Sequence, residues 1–250
     1  MKIDYPHRSQ LPQLKQLWTE SFGEGAYWEL FFEQVFSSDR CRCITIGDQV
    51  AAALYWLDCR CFDLPMAYLY AVATDKKHRR QGLCRAPMTD THTHLKSLGY
   101  AGCLLVPGEN SLCSMYASMG YQTATTLREW ECVPGQIPAA MHRVDAAEYA
   151  RLRRRLLPEG SVLQEGDSLT LQDALYQFYD GGDFLLCWGK NDRGPLGIEL
   201  LGNTEAAPGI LAALRQPKGT FRAPGTGRPF AMYYPLSDAA VPSYFCFAFE

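Results

Sequence analysis

The sequence predicts an α/β protein, a mixed sheet flanked by helices and built in two α-plus-β halves. Three observations carry that expectation. Segments with apolar residues at helical spacing alternate with short strand-like apolar runs over all 250 residues. That length exceeds the ~100 to 150 residues usual for one domain. A turn-rich stretch, Cys132-Val133-Pro134-Gly135-Gln136-Ile137-Pro138, interrupts the alternation near its middle and is read as the boundary between a first domain, 1–135, and a second, 140–250.

The elements follow in order. Leu11, Leu14, Leu17, Trp18 and Phe22 recur at helical spacing behind Ser9, a candidate N-cap, so the first helix is expected from Gln10 to Phe22. Gly23-Glu24-Gly25 breaks it, and the aromatic run Tyr27 to Phe36 makes a second helix. Arg42 to Ile46 and Val50 to Leu57 read as a hairpin turning at Gly47-Asp48-Gln49, with Ile46 opposite Val50 and Cys43 opposite Ala53. Pro65 to Thr74 is a strand. A helix from Leu83 to Leu98 ends at Gly99, and a strand from Gly102 to Val106 follows. A shorter helix, Ser111 to Met119, repeats the ending at Gly120, with Tyr121 leading into a strand. Beyond the boundary come helices at Ala146 to Leu157, Leu169 to Tyr179 and Gly209 to Arg215. Strands are expected at Phe184 to Trp188 and Leu196 to Leu201, and near Phe221, Phe230 and Phe245.

Hydrophobic residues make up 47% and charged residues 20%, a balance that disordered, collagenous and coiled-coil chains do not show. Lys plus Arg, 24, against Asp plus Glu, 27, gives a net charge of -3 and argues against a nucleic-acid coat or a polybasic membrane binder. The longest apolar run, Ala51 to Leu57, is far short of the ~20 residues that span a bilayer, and Met1 to Tyr5 hold no signal core. A cytoplasmic protein is expected. Its ten cysteines then read as reduced thiols. Cys41, Cys43, Cys59 and Cys61 suggest zinc, but in the hairpin register Cys59 falls six residues past the partner of Cys43, roughly 20 Å at strand rise, and no metal is expected.

The informative segment runs from Tyr68 to Leu98: strand, cationic turn, glycine, helix. A helix N-terminus exposes unpartnered N–H groups and a partial positive charge, and a glycine lets an anion approach the backbone. Gly82 is placed for that, and Lys76, Lys77, Arg79, Arg80 and Arg85 supply charge for a diphosphate and a further phosphate. A solvated basic turn would read the same way from composition alone.

Ala71-Val72-Ala73-Thr74 followed by Arg79-Arg80-Gln81-Gly82-Leu83 resembles the acyl-CoA-binding motif of the GCN5-related N-acetyltransferases, in which Arg or Gln, two residues, Gly, one residue, then Gly or Ala recur. Arg79 and Gly82 match, Cys84 stands where Gly or Ala is usual, and Pro87 is unusual within the helix. Downstream, Tyr116-Ala117-Ser118-Met119-Gly120-Tyr121 resembles the family's Tyr-x-x-x-Gly-aromatic motif, while Glu109 stands where Asn is frequent. The resemblance spans about residues 1 to 130 and includes the opening helices around Ser21-Phe22-Gly23-Glu24, similar to the substrate side of this family. It implies this family's fold for the first half. The second half is similar to a degenerate copy, as in the tandem enhanced-intracellular-survival-type enzymes.

The resemblance further implies roles. Ala71, Val72 and Ala73 would hold the carrier's arm, and Arg79, Arg80, Gln81, Gly82, Leu83 and Cys84 its phosphates. Acetyl-CoA would be the co-substrate and a small-molecule or peptide amine the acceptor. Tyr116 would protonate the departing thiolate, although Leu112, Tyr116 and Met119 also make one apolar helix face. Glu109 and Glu24 are the candidate bases. His92 and His94, two apart on a helix, point to different faces and make no metal pair, and Ser111, Ser114 and Ser118 lack the context of a nucleophile. A non-catalytic acyl-CoA sensor is the rival expectation. In the second half, Asn191 to Gly197 and Gly225 to Pro229 are the nearest counterparts of the phosphate loop, and both lead into strands, so no cofactor is expected there. The second half is expected either to cover an apolar face of the first or to help wall its acceptor pocket, with Glu199 or the C-terminal strand Tyr244 to Phe249 as the candidate contributors.

Overall fold

The computed structural model describes residues 2–248, which form two compact units. Unit 1 opens with β1 (Lys2–Asp4), α1 (Leu11–Phe22), α2 (Ala26–Leu30), β2 (Cys41–Ile46), β3 (Gln49–Cys61) and β4 (Leu64–Thr74). It continues with α3 (Arg85–Ser97), β5 (Gly102–Leu105), α4 (Asn110–Ala117) and the short β6 (Gln122–Thr123), at which the unit gives way to the next. Unit 2 holds β7 (Thr126–Cys132), β8 (His142–Val144), α5 (Ala146–Leu156), β9 (Leu163–Gln164), α6 (Asp167–Leu175) and β10 (Gln177–Asp180). β11 (Phe184–Asn191), β12 (Gly194–Gly202), α7 (Ala207–Ala213), β13 (Gly219–Pro224) and β14 (Arg228–Pro229) complete it. The chain then returns to unit 1 with β15 (Met232–Pro235).

The unit 1 sheet runs β1-β2-β3-β4-β5-β15, antiparallel except for the parallel pair β4–β5. The unit 2 sheet is seven-stranded, β14-β7-β13-β12-β11-β10-β8, antiparallel except for the parallel pair β12–β13. In each sheet a parallel pair is flanked on its far side by a strand taken out of sequence: β15 beside β5, and β7 beside β13. The division of the chain therefore differs from a cut at Cys132 to Pro138. The apolar residues Leu127, Trp130 and Met232 decide it. Leu127 is fully buried and Trp130 stacks on Phe221 in unit 2, whereas Met232 packs with Leu105 and Trp56 in unit 1.

The helix starts shift in instructive ways. The first α-helical residue is Leu11, since Arg8–Gln10 forms a 3-10 turn closed by His7 and Gln10, so Ser9 is not the cap. The second helix becomes α2 followed by a π-turn, Phe31–Val35, which turns Phe31, Phe32 and Val35 all inward. In the hairpin Cys43 faces Ala53 as read, but Ile46 faces Gln49: a bulge after Ile44 absorbs one residue and the turn shortens to Gly47-Asp48. In unit 2, Gln177 to Asp180 is strand rather than helix, because Phe178 pairs in the sheet with both Cys187 and Val144. Phe230 lies between strands, and near Phe245 the backbone forms an isolated bridge, Tyr244 to Ser161, in place of the expected strand.

The unit 2 core contains a charged pair. Arg153 and Glu199 are both buried and bonded twice, Nε to Oε2 at 2.6 Å and an Nη to Oε1 at 2.9 Å. The Tyr149 and Tyr244 hydroxyls also donate to the carboxylate, at 2.8 and 3.1 Å. Four donors satisfy it, as a buried charge requires. Glu199 therefore walls no pocket. Tyr244 serves the same network, and Phe249 lies outside the described residues.

Candidate functional site

The site grows from the parallel pair of unit 1. β4 and β5 pair at Met66–Gly102, Ala67–Cys103 and Tyr68–Leu104, and the register stops there. From Leu69 onward β4 has no pairing with β5 among the described residues. On its other side, β3 pairs Tyr55 with Tyr70 and Ala53 with Ala73, so Ala71 and Val72 together oppose Leu54 alone. That bulge puts Ala71 at φ +48°, a left-handed conformation that costs an alanine about 1 kcal/mol and re-aims its peptide groups. Three residues on, β4 ends at Thr74.

The connection to α3 is built to turn sharply. Asp75 accepts from the Lys77 N–H and starts the 3-10 turn Lys76–His78. Arg79 donates from Nε to the Thr74 carbonyl, which ties the turn back to the strand end. Arg80, at φ +63°, and Gly82, at φ +78°, then reverse the chain. Leu83 buries itself against Ile44, Ala51 and Ala52, fixing the loop to the sheet. A Cβ on Gly82 would meet nothing within 4 Å, so glycine answers here to backbone conformation and leaves the space before α3 open. The N–H groups of Arg85 and Ala86 bond to the Gly82 carbonyl, and Pro87 is tolerated in the third helical position. Lys76, Lys77 and Arg80 stand exposed, without a side-chain bond among the described residues.

Arg85 is differently used than its charge suggests. Its guanidinium donates to the Ser118 carbonyl at 3.0 Å and the Ser118 hydroxyl at 2.8 Å. It thereby joins the start of α3 to the end of α4, and so the two sequence motifs to one another. Tyr116, on the inner face of α4, is 7% exposed and packs edge-on to Tyr121. Burial, with the Cys84 thiol as a second cause, raises its pKa well above the usual phenol value, and the hydroxyl stays protonated at neutral pH. Burial likewise raises the Cys84 thiol, against the lowering effect of Arg85.

Glu109 is the exposed N-cap residue of α4; it caps no helix N–H with its side chain and accepts from the Ser111 hydroxyl at 3.0 Å. Glu24 is also exposed, within 3.4 Å of the Thr19 hydroxyl. The structure thus brings Ala71 to Ala73, Arg79 to Cys84 and Tyr116 around one parallel strand pair and its crossing helix. Neither candidate base is buried in that frame.

Two groups escaped the sequence reading. Trp18 stacks on Phe31 at 5.0 Å and meets Tyr55 and Tyr70 tilted and edge-on, so α1 and the π-turn pack against the residue immediately before the bulge. Trp28 Nε1 and Ser21 Oγ are buried there without a hydrogen-bond partner. The Tyr27–Phe36 aromatic run was the available signal. The other group is His92, buried and bonded to Tyr121, whose only sequence signal was its place on the helix.

Residues 2–124 match the family model described as acetyltransferase (GNAT) domain. Solved structures resemble nearly the whole chain. A GCN5-related N-acetyltransferase from Anabaena variabilis superposes with a TM-score of 0.75 at 16% identity, covering 94% of this chain and 73% of that one. One from Kribbella flavida gives 0.71 at 17% identity, with 94% and 72% covered. Eis1 from Mycobacterium abscessus gives 0.69 at 13%, with 94% and 73%. At such identities the likeness is one of fold, and it extends through both units. No curated protein matches the chain.

Proposed function

With residues 2–124 belonging to the GCN5-related N-acetyltransferase superfamily, we propose that the chain transfers an acetyl group from acetyl-CoA to a primary amine by direct attack. One observation carries this reading: Arg85 bridges to Ser118, which ties the start of α3, just past the glycine loop, to the end of α4, the helix that carries Tyr116. The carrier's arm lies along Ala71 to Ala73, whose main chain has no β5 partner in register. Its phosphates sit at Arg79 to Cys84, where the left-handed Gly82, the helix N-terminus and the free cations meet.

The amine attacks the thioester carbonyl, N–H groups near Val72 stabilise the oxyanion, and the thiolate leaves. Tyr116 stands ready as the acid. Its raised pKa keeps the hydroxyl protonated and able to donate a hydrogen bond, but makes it a reluctant proton donor toward a thiolate of parent pKa ~8.5. Its effect should therefore fall at the lower end of the ~10² to 10⁴ range for general acids. The amine, pKa ~10.4 when free, must first lose a proton, and Glu109 is the assigned acceptor through water. The exposure of Glu109 favours a second reading, a non-catalytic acyl-CoA sensor.

Free-thiol release from acetyl-CoA with a panel of amines tests the choice. Turnover that falls about a hundredfold in Tyr116→Phe, with acetyl-CoA affinity unchanged, supports the transferase. Binding without any turnover would leave the sensor.

A further inference from the structure

α3 carries one aromatic polar ring on its buried face. His92 is 7% exposed and lies between Met88 and Leu95, both fully buried, on the same helix. Its Nε2 is 2.7 Å from the Tyr121 hydroxyl. Its face stacks on Tyr234 of β15, centroids 3.9 Å apart and planes within 13°. Tyr121 in turn presents its ring to Tyr116 at 5.9 Å and 65°, and its N–H donates to the Tyr116 carbonyl at 3.2 Å. Tyr234 also closes on the turn between the two tyrosines, since a Cβ on Gly120 would come within 2.9 Å of its ring. Tyr116, Tyr121, His92 and Tyr234 thus make one continuous row of rings.

Stability alone does not call for such a row. A buried hydrogen bond nets about 0.5 to 1.5 kcal/mol once the lost hydration of both partners is counted, and leucine or phenylalanine would fill the space as well. What the bond adds is direction. A hydroxyl held at 2.7 Å cannot slide along the helix, whereas an apolar contact permits it. The ring so fixed is the one against which Tyr116 rests. Burial keeps the imidazole neutral near neutral pH, so it braces without placing a charge beside the phenol.

We propose that His92 is a positioning residue for acyl transfer: its bond to Tyr121 fixes the Tyr121 ring, and through it the direction of the Tyr116 hydroxyl. This rests on the acetyltransferase reading above. Three variants test it. His92→Phe keeps a ring and the stack but loses the bond, Tyr121→Phe removes the hydroxyl, and His92→Gln offers an amide at similar reach.

In both phenylalanine variants kcat should fall about tenfold with KM for acetyl-CoA unchanged, the size of effect that a small misplacement of a reacting group produces. His92→Gln should recover most of it. His92→Phe should add nothing in a Tyr116→Phe background. Wild-type kcat in folded His92→Phe, an equal fall in both backgrounds, or no rescue by glutamine would each overturn the proposal. If His92→Phe does not fold, the smaller Tyr121→Phe change carries the same measurements.

A second readout is independent of turnover. The Tyr116 ring signals in NMR, assigned by their loss in Tyr116→Phe, should show faster ring flipping in His92→Phe, and unchanged line shapes would also overturn it. Failure of the wild type to bind acetyl-CoA in calorimetry would instead sink the acetyltransferase reading; intact binding and turnover with an indifferent His92 would sink this inference alone.

Discussion

The crossing from β4 to α3 in unit 1 and that from β12 to α7 in unit 2 start alike and end differently. In both, a strand pairs in parallel with its neighbour for only two or three residues: up to Tyr68–Leu104 in one, up to Gly197–Phe221 in the other. In both, a bulge follows, at Ala71-Val72 and at Ile198. Beyond that the chemistry separates. β4 continues into Arg79, Arg80 and a left-handed Gly82 that opens a helix of 13 residues. β12 ends at Gly202, packed so tightly that a Cβ would meet the Asp183 carbonyl at 2.4 Å, and continues through Asn203 and Glu205 into a helix of seven. At the second bulge the Ile198 carbonyl accepts from the Cys246 thiol, so the chain's own C-terminal segment takes up the bonding there. The two units share this frame, and under the function proposed above the loop that follows β4, not the one after β12, is what suits an anion-bearing carrier.

Four measurements break or sharpen this contrast. The largest effect belongs to the core that replaces a site in unit 2. Glu199→Ala strands the buried Arg153 charge and should cost about 3 to 5 kcal/mol in urea unfolding. It should leave acetyl-CoA affinity unchanged under conditions where the protein remains folded. Lost affinity in that folded protein would show that unit 2 takes part in cofactor binding.

Next is the pH dependence that His92 lends to unit 1. Burial depresses its pKa from 6.5 to about 4, so the folded state resists a proton that the unfolded chain takes up. The contribution is present above pH 6.5 and is lost as the pH falls toward 4, by up to about 3 kcal/mol. Wild type should lose stability over that window more than His92→Gln does; parallel curves would show that His92 is not the titrating group.

Gly82→Asp should weaken acetyl-CoA by roughly a hundredfold, combining left-handed strain of about 1 to 2 kcal/mol with like-charge repulsion of about 1 kcal/mol or more. Titration of the intact chain should give one acetyl-CoA per polypeptide, and residual tight binding in the variant would reveal a second site. The smallest effect is the loss of one exposed cation. Arg80→Ala should weaken binding about fivefold, more at low salt than at high. Glu205→Arg in the other crossing should gain no binding, because a charge without an open glycine turn and a long helix makes no phosphate cradle.

Local chemistry alone announced much of this molecule. Arg79 to Leu83, Gly82 above all, and the Tyr116 to Tyr121 motif were legible because a turn needing φ > 0 and a helix N-terminus are written in adjacent residues. The helix and strand succession was legible too, since burial on one face imposes its period. The sequence by itself determined most helices and strands of the first half and singled out the loop from Arg79 to Leu83, whereas Gln177 to Asp180 became strand only through its sheet partners. Only the tertiary structure decided that β7 leaves the first unit and β15 returns to it, because the choice of sheet lies in partners far along the chain, β13 for β7 and β5 for β15. It also decided that Arg85 serves Ser118, that Glu199 is a buried counter-ion, and that His92 bonds to Tyr121. A charged or polar side chain declares what it can bond to; which partner it meets is settled by packing over separations of 29 to 46 residues, a distance no local pattern encodes.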